Sequence, residues 1–200
     1  MTRSEGGRWW ILPSPRWRGW ICGIVLGFAP LAACLAAPSV TIDSVRASRD
    51  EAVYYLDLRL GYQLSDAMRD AVLNGMALTF LVEIELLRER KYAWDSTVAT
   101  LEQRYRISHQ TLTGNYLVQN LNSGAQHILP TLEAALSVAG IVTRLPVIDR
   151  NLLEEGERYY GRVRAGLDVD DLPIPLRLQS YLAMAPGWNM SSDWVSWKLP

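Results

Sequence analysis

Residues 53–64 alternate without a break. Tyr54, Leu56, Leu58, Leu60 and Tyr62 fall on one side, and Asp57, Arg59 and Gln63 on the other. Successive side chains of an extended chain point to opposite faces, so the pattern predicts a strand with one buried and one wet face. It returns at residues 78–87, where Phe80, Val82, Ile84 and Leu86 oppose Glu83 and Glu85. Residues 98–107 repeat it with Ala99, Leu101, Tyr105 and Ile107, and residues 158–167 again. Residues 115–122, closed by Asn122-Ser123-Gly124, and the aromatic stretch 188–199 complete the predicted strands.

Two segments break this period. Ser65 offers an N-cap to a helix with Ala67, Met68, Ala71 and Val72 on one face, stopped at Asn74-Gly75. Pro130 can open a second, with Leu132, Ala135, Leu136 and Ala139 at helical spacing and Gly140 at its end. Leu172-Pro173-Ile174-Pro175 and Pro186-Gly187 read as loop or edge breakers. The expected fold is mainly β with two short helices, an antiparallel β-sandwich or a strongly twisted sheet. Such non-local pairing predicts slower folding than a helical domain.

At 200 residues, 49% of them apolar, the chain suits one domain with a core plus a short appendage. The appendage is N-terminal. Arg3, Arg8, Arg16 and Arg18 face a single acid, Glu5, and from Gly19 to Ile42 no residue is charged. Basic residues, an apolar run and then small residues make an export signal. Residues 1–36 are therefore expected to be an export signal or membrane anchor, and 37–200 a single β-rich exported domain. Without the leader, 16 bases face 20 acids, which argues against nucleic acid as a partner. The leader offers three endings. Cleavage ahead of Ala37 suits a soluble periplasmic protein. Leu31-Ala32-Ala33-Cys34 matches a lipobox and makes Cys34 a lipidation candidate. The uncharged run also exceeds the roughly 20 residues that span a bilayer, so retention as an anchor stays open, although Pro30 opposes it. All three place the domain outside the cytoplasm, with membrane contact only through the N-terminal segment.

The chemistry search points away from catalysis. Cys22 and Cys34 are the only cysteines, so the mature domain has neither a thiol nucleophile nor a disulfide. His109 and His127 lack the spacing of a zinc site. Asp168, Asp170 and Asp171 form the densest acidic cluster, read as a solvated loop, and Glu83 with Glu85 as the wet side of a strand. There is no nucleophile elbow, phosphate loop or dinucleotide glycine pattern. No catalytic residue, metal or cofactor is expected. The distinctive stretch is Arg88-Glu89-Arg90-Lys91-Tyr92-Ala93-Trp94-Asp95, followed by Arg104-Tyr105-Arg106. Arginines beside aromatics can form an interaction surface, here Arg88, Arg90, Trp94, Arg104 and Arg106. The plainer reading is a hairpin whose arginines pair with Glu89, Asp95 and Glu102 across strands.

Short pieces in order carry a resemblance. They run from Leu86-Leu87-Arg88-Glu89-Arg90 and Trp94-Asp95 through Gln103-Arg104-Tyr105-Arg106 and Leu112-Thr113-Gly114-x-Tyr116 to Leu132-x-x-Ala135-Leu136. Tyr160-x-Arg162-Val163-Arg164, Leu172-Pro173-x-Pro175-Leu176-Arg177 and Trp188-x-x-x-Ser192-x-Trp194-x-x-Trp197 follow. Together they resemble the proteobacterial exported family of domain of unknown function 4390 (DUF4390), over about residues 40–198. The resemblance implies an envelope protein without assigned activity, in a family whose genes tend to lie near a membrane sensor histidine kinase. It carries no catalytic residues.

Two functions from different classes follow. The first is a non-enzymatic envelope binding or accessory domain, its partner an envelope or inner-membrane protein such as a sensor histidine kinase. The alternative is a small exported hydrolase or ligand-binding enzyme using Asp168, Asp170 or the Glu83/Glu85 pair. Trp188, Trp194 and Trp197 invite a reading as an exposed platform, but Trp188 and Trp194 are expected to fill core space beside Ala165 and Gly166.

Overall fold

The computed structural model describes residues 37–92, 94–181 and 187–200. The leader, Cys34 included, and Pro186 lie outside the described residues. The strands are β1 (Ser39–Asp50), β2 (Val53–Gln63), β3 (Leu78–Arg88), β4 (Ser96–Gln110), β5 (Asn115–Asn120), β6 (Gln126–Leu129), β7 (Ile141–Asp149), β8 (Tyr159–Leu167) and β9 (Val195–Lys198). The helices are α1 (Asp66–Leu73), α2 (Leu132–Ala139) and α3 (Ile174–Tyr181). One sheet has the order β1-β2-β7 and the other β6-β5-β4-β3-β8-β9. Every pairing is antiparallel. The fold is the expected mainly β architecture, two sheets sharing one core.

The alternation explains that core. Leu56, Leu58 and Leu60 from the small sheet and Phe80, Val82, Ile84 and Val163 from the large one are all at most 5% exposed. Each such side chain contributes about 1.5–3 kcal/mol of transfer free energy. The Tyr62 and Phe80 rings meet across the sheets at 4.6 Å. Leu101, expected in the core, is half-buried because three strands do not cover the whole inner face of six, and Tyr54 is half-buried because it lies near the end of β2, where it lines a surface hollow. Helix α2 roofs part of the remainder, and its Gly140 carbonyl accepts from the Leu60 amide at 2.8 Å.

The caps follow residue chemistry. The Met68 amide donates to Ser65 Oγ at 3.3 Å, and Gly75 takes φ 89° just past Asn74. For α2 the capping residue is Thr131 rather than Pro130, its Oγ1 accepting from the Ala134 amide at 3.2 Å.

Two expectations are corrected. The proline-rich breaker after Leu172 opens a third helix. The Pro173 carbonyl accepts from the Leu176 and Arg177 amides, and Pro175 falls in the first turn, where no amide donor is needed. Residues 188–199 are not one strand. Ser191 makes a single bridge to Gly166, and regular pairing resumes only at Val195. Strand β7 carries a bulge in which Arg144 takes φ 48°, its amide donating to Asp57 Oδ1 at 2.8 Å. A bulge and Pro146 on an outer strand hinder pairing with a further chain.

Candidate functional site

The outer face of the six-stranded sheet is built by the polar half of the alternation. Strand β3 sends Thr79, Glu83 and Glu85 outward, β8 sends Arg162 and Arg164, and β4 sends Glu102, Arg104 and Arg106. Register makes Glu83 the partner of Arg164 and Glu85 that of Arg162. Arg164 Nη2 and Nε donate to Glu83 Oε2 at 2.5 and 2.8 Å, and Arg162 Nε to Glu85 Oε2 at 2.7 Å. Glu83 also faces Glu102 across β3 and β4. That like-charge contact is relieved because Glu102 binds Arg104 at 2.6 Å. The Trp194 ring lies 4.6 Å from the Arg162 guanidinium and 4.8 Å from that of Arg164.

The residues after β8 complete the ladder. Arg104 Nε donates to Asp168 Oδ2 at 3.0 Å, and Arg106 Nη2 to Asp171 Oδ2 at 3.0 Å. The Thr79 hydroxyl donates to Asp171, and Arg106 Nε to Thr79 Oγ1 at 3.3 Å. Burial raises the Asp171 carboxyl, but the Thr79 hydroxyl and Arg106 guanidinium outweigh it and hold the group below its usual range. The bond to Asp168 pushes Arg104 up. Asp168 also caps a turn, accepting from the Asp170 amide at 3.2 Å, and is buried, whereas Asp170 and Asp171 are exposed.

The histidines stand apart from these carboxylates. His109 Nδ1 lies 3.1 Å from the Leu73 carbonyl, with its ring 4.9 Å from that of Tyr116. His127 lines a shallow cavity of about 290 Å³ with Tyr105, Val118, Asn120, Val138 and Ile141, and no carboxylate is among its described lining residues. No group of three or more potential ligands able to hold a metal occurs among the described residues.

The five residues expected as one interaction surface fall in two places. Arg104 and Arg106 belong to the ladder. Arg88 closes β3, Arg90 and Trp94 belong to the β3–β4 connection, and Trp94 is ten residues from Arg104 along the chain, about 33 Å in extended strand. The pairings expected within that connection also differ. Arg88 Nη1 reaches Glu154 at 2.6 Å, in the segment before β8, while Glu102 pairs along its own strand. Asp95 fastens the connection instead. It accepts the Tyr160 hydroxyl at 2.7 Å and the Arg90 amide at 3.0 Å, and these two bonds hold its carboxyl below the usual range. Beyond that fastening, Tyr92 is 99% and Trp94 95% exposed. Arg90 and Lys91 make no ion pair among the described residues.

Asp168 and Asp171 as arginine partners were missed by sequence reasoning, and Trp194, expected to fill core space, instead lies half-buried on the outer face over Arg162 and Arg164. The one available signal was the parity of Arg162 and Arg164 with Glu83 and Glu85.

Residues 37–198 match a family model described as "Domain of unknown function (DUF4390)". The chain belongs to that family. The match covers both sheets of this DUF4390 domain, the ladder and the β3–β4 connection alike. No curated protein and no solved structure matches the chain.

Proposed function

We propose that this DUF4390 protein is an exported, non-enzymatic binding or accessory domain of the cell envelope. Its partner on this reading is an inner-membrane protein, and the family resemblance implies a sensor histidine kinase. The observation that supports it is the use made of Glu83, Glu85 and Asp168. Each binds an arginine within a half-buried ladder, where a hydrolase would aim a carboxylate and a histidine into one hollow. The basic and then uncharged leader supports export.

A reporter active only outside the cytoplasm, fused after residue 60, is expected to give signal. Crosslinking in intact envelopes, followed by purification of the full chain, is expected to bring down an inner-membrane protein. A silent reporter overturns export. A hydrolytic activity of the purified protein that Asp168→Asn abolishes, without loss of fold, overturns the non-enzymatic reading.

A further inference from the structure

We infer that the cavity between strands β4–β6, the end of α2 and the start of β7 binds a small uncharged ligand, mostly apolar and carrying one carbonyl or hydroxyl. The inference goes beyond the partner reading above and does not depend on it. Strand pairing fixes which residues face the cavity. Tyr105 stands opposite Phe80 on one side and Asn120 on the other, and Val118 opposite Ile107 and His127. Direct partners share a face of the sheet. Phe80, Ile107 and Val118 are at most 1% exposed, so Tyr105, Asn120 and His127 all stand on the core side. A core face is ordinarily apolar, and three polar residues together on one mark function or strain. Helix α2 covers part of this face and ends at Ala139. Past that point the corner is open: His127 is exposed although its register is a core one, and Ile141 is 45% exposed at the rim.

The polar corner is held in place before any ligand arrives. Asn120 Oδ1 accepts from the Asn122 amide at 2.9 Å and from the Ser123 amide at 3.0 Å, which fixes the side chain and leaves its Nδ2 donors free of that turn. The same amide lies beside Tyr105, whose hydroxyl burial pushes up and Asn120 pulls partly back. His127 makes no hydrogen bond among the described residues. Hydroxyl, amide and imidazole can each donate, so the cavity suits a ligand oxygen that accepts. Val118, Val138 and Ile141 supply apolar wall for the rest of the molecule. No charged side chain is among the described lining residues, so nothing there offsets the desolvation of a carboxylate or an ammonium. The volume, about 290 Å³, stands at the lower end for small-molecule sites. At roughly 30 Å³ for each water-sized unit it holds about ten non-hydrogen atoms.

The probe is acetophenone, an uncharged molecule of that size with one carbonyl. Benzoate serves as its charged counterpart and toluene as the relative without an acceptor. Each is titrated into the purified full chain while the methyl resonances are followed by NMR. The expected result is saturable shifts at Val118, Val138 and Ile141 with acetophenone, at about millimolar concentration or below, and weaker binding of the other two. His127→Ala, at an exposed position, should weaken acetophenone by about fivefold to tenfold at unchanged melting temperature, the scale of one hydrogen bond, and leave toluene unaffected. Ala125→Trp, at an exposed lining position, should fill the cavity and abolish binding. His109→Ala, on the same face but outside the cavity, should change nothing. Shifts that do not saturate, or that fall elsewhere in the domain, overturn the site, as does an acetophenone affinity indifferent to both His127→Ala and Ala125→Trp. Tighter binding of benzoate overturns the uncharged class. The envelope partner stands or falls separately, by the crosslinking described above.

Discussion

The six-membered ring of Trp197 stands where a β-carbon on Gly161 would be: Cζ2, Cε2 and Cη2 lie 2.1, 2.3 and 2.5 Å from that position. The two residues are direct partners in the β8–β9 pairing. Glycine is required here by space, since the indole covers the bare backbone of the neighbouring strand. Gly161→Ala should therefore displace β9 and cost about 1–3 kcal/mol of stability, the range for overpacking. In a background already carrying Trp197→Ala the same change should cost far less, and thermal unfolding of the four proteins measures that coupling. Equal costs in both backgrounds would refute the contact.

Trp188 and Trp194 should separate sharply on truncation. Trp188 is 8% exposed and in the core cluster, whereas Trp194 lies on the outer face over two arginines. We expect Trp188→Ala to cost roughly 3–5 kcal/mol, as core aromatics do. Trp194→Ala should cost less, about 1–2 kcal/mol, the scale of two cation–π contacts on a half-buried ring. Deleting residues 188–198 should destabilise the whole domain, because it also removes the Met190 carbonyl that accepts from the Leu167 amide at 2.8 Å. Chemical denaturation followed by circular dichroism checks all three.

Tyr62 carries a buried hydroxyl without a hydrogen-bond partner among the described residues, and burial together with the neighbouring Tyr105 pushes its ionisation up. Removing an unsatisfied buried group returns its desolvation cost, about 1–3 kcal/mol. Tyr62→Phe should raise the melting temperature, and a fall would mean that the hydroxyl has a partner in the folded protein.

Acid should loosen the ladder through Asp171. Its carboxyl is lower in the folded protein than in the unfolded chain, so its stabilisation is present above the unfolded value and lost as pH falls through the folded one. Melting temperature should decline below about pH 4, the ordinary carboxylate range. Asp171→Asn should start lower at neutral pH and decline less steeply in that window. Parallel curves for the two proteins would contradict the assignment.

The leader is tested by Cys34→Ala. If the lipobox is used, the substitution should release an anchored protein on alkaline extraction. If cleavage falls before Ala37, fractionation should be unchanged.

Where one face of a strand is wet, the sequence was legible. Glu83 and Glu85 on β3, and Arg162 and Arg164 on β8, mark the outer face as clearly as their apolar neighbours mark the core. Strand β1 was not, because its apolar residues change parity: Val40 and Ile42 precede the bulge, Val45 and Ala47 follow it. Helix α3 was hidden by prolines whose position in a first turn makes them harmless. In the ladder, Arg104 and Arg106 were visible, but their partners Asp168 and Asp171 lie 64 and 65 residues away in a different segment, beyond the reach of local spacing. The exposure of Tyr92 and Trp94 could not be read from their identity, since aromatics at those positions suit a core equally well.

The order of the large sheet also governs how the chain comes together as it is made. Strand β3 pairs with β4 almost at once, but its other edge waits for β8: Arg88 for Tyr159, and Phe80 for Leu167. Until then the most apolar strand of the protein is an open template, available to a second nascent copy. A chaperone able to hold that edge from the emergence of Leu78 to that of Leu167 would raise the yield of folded protein without touching its final stability.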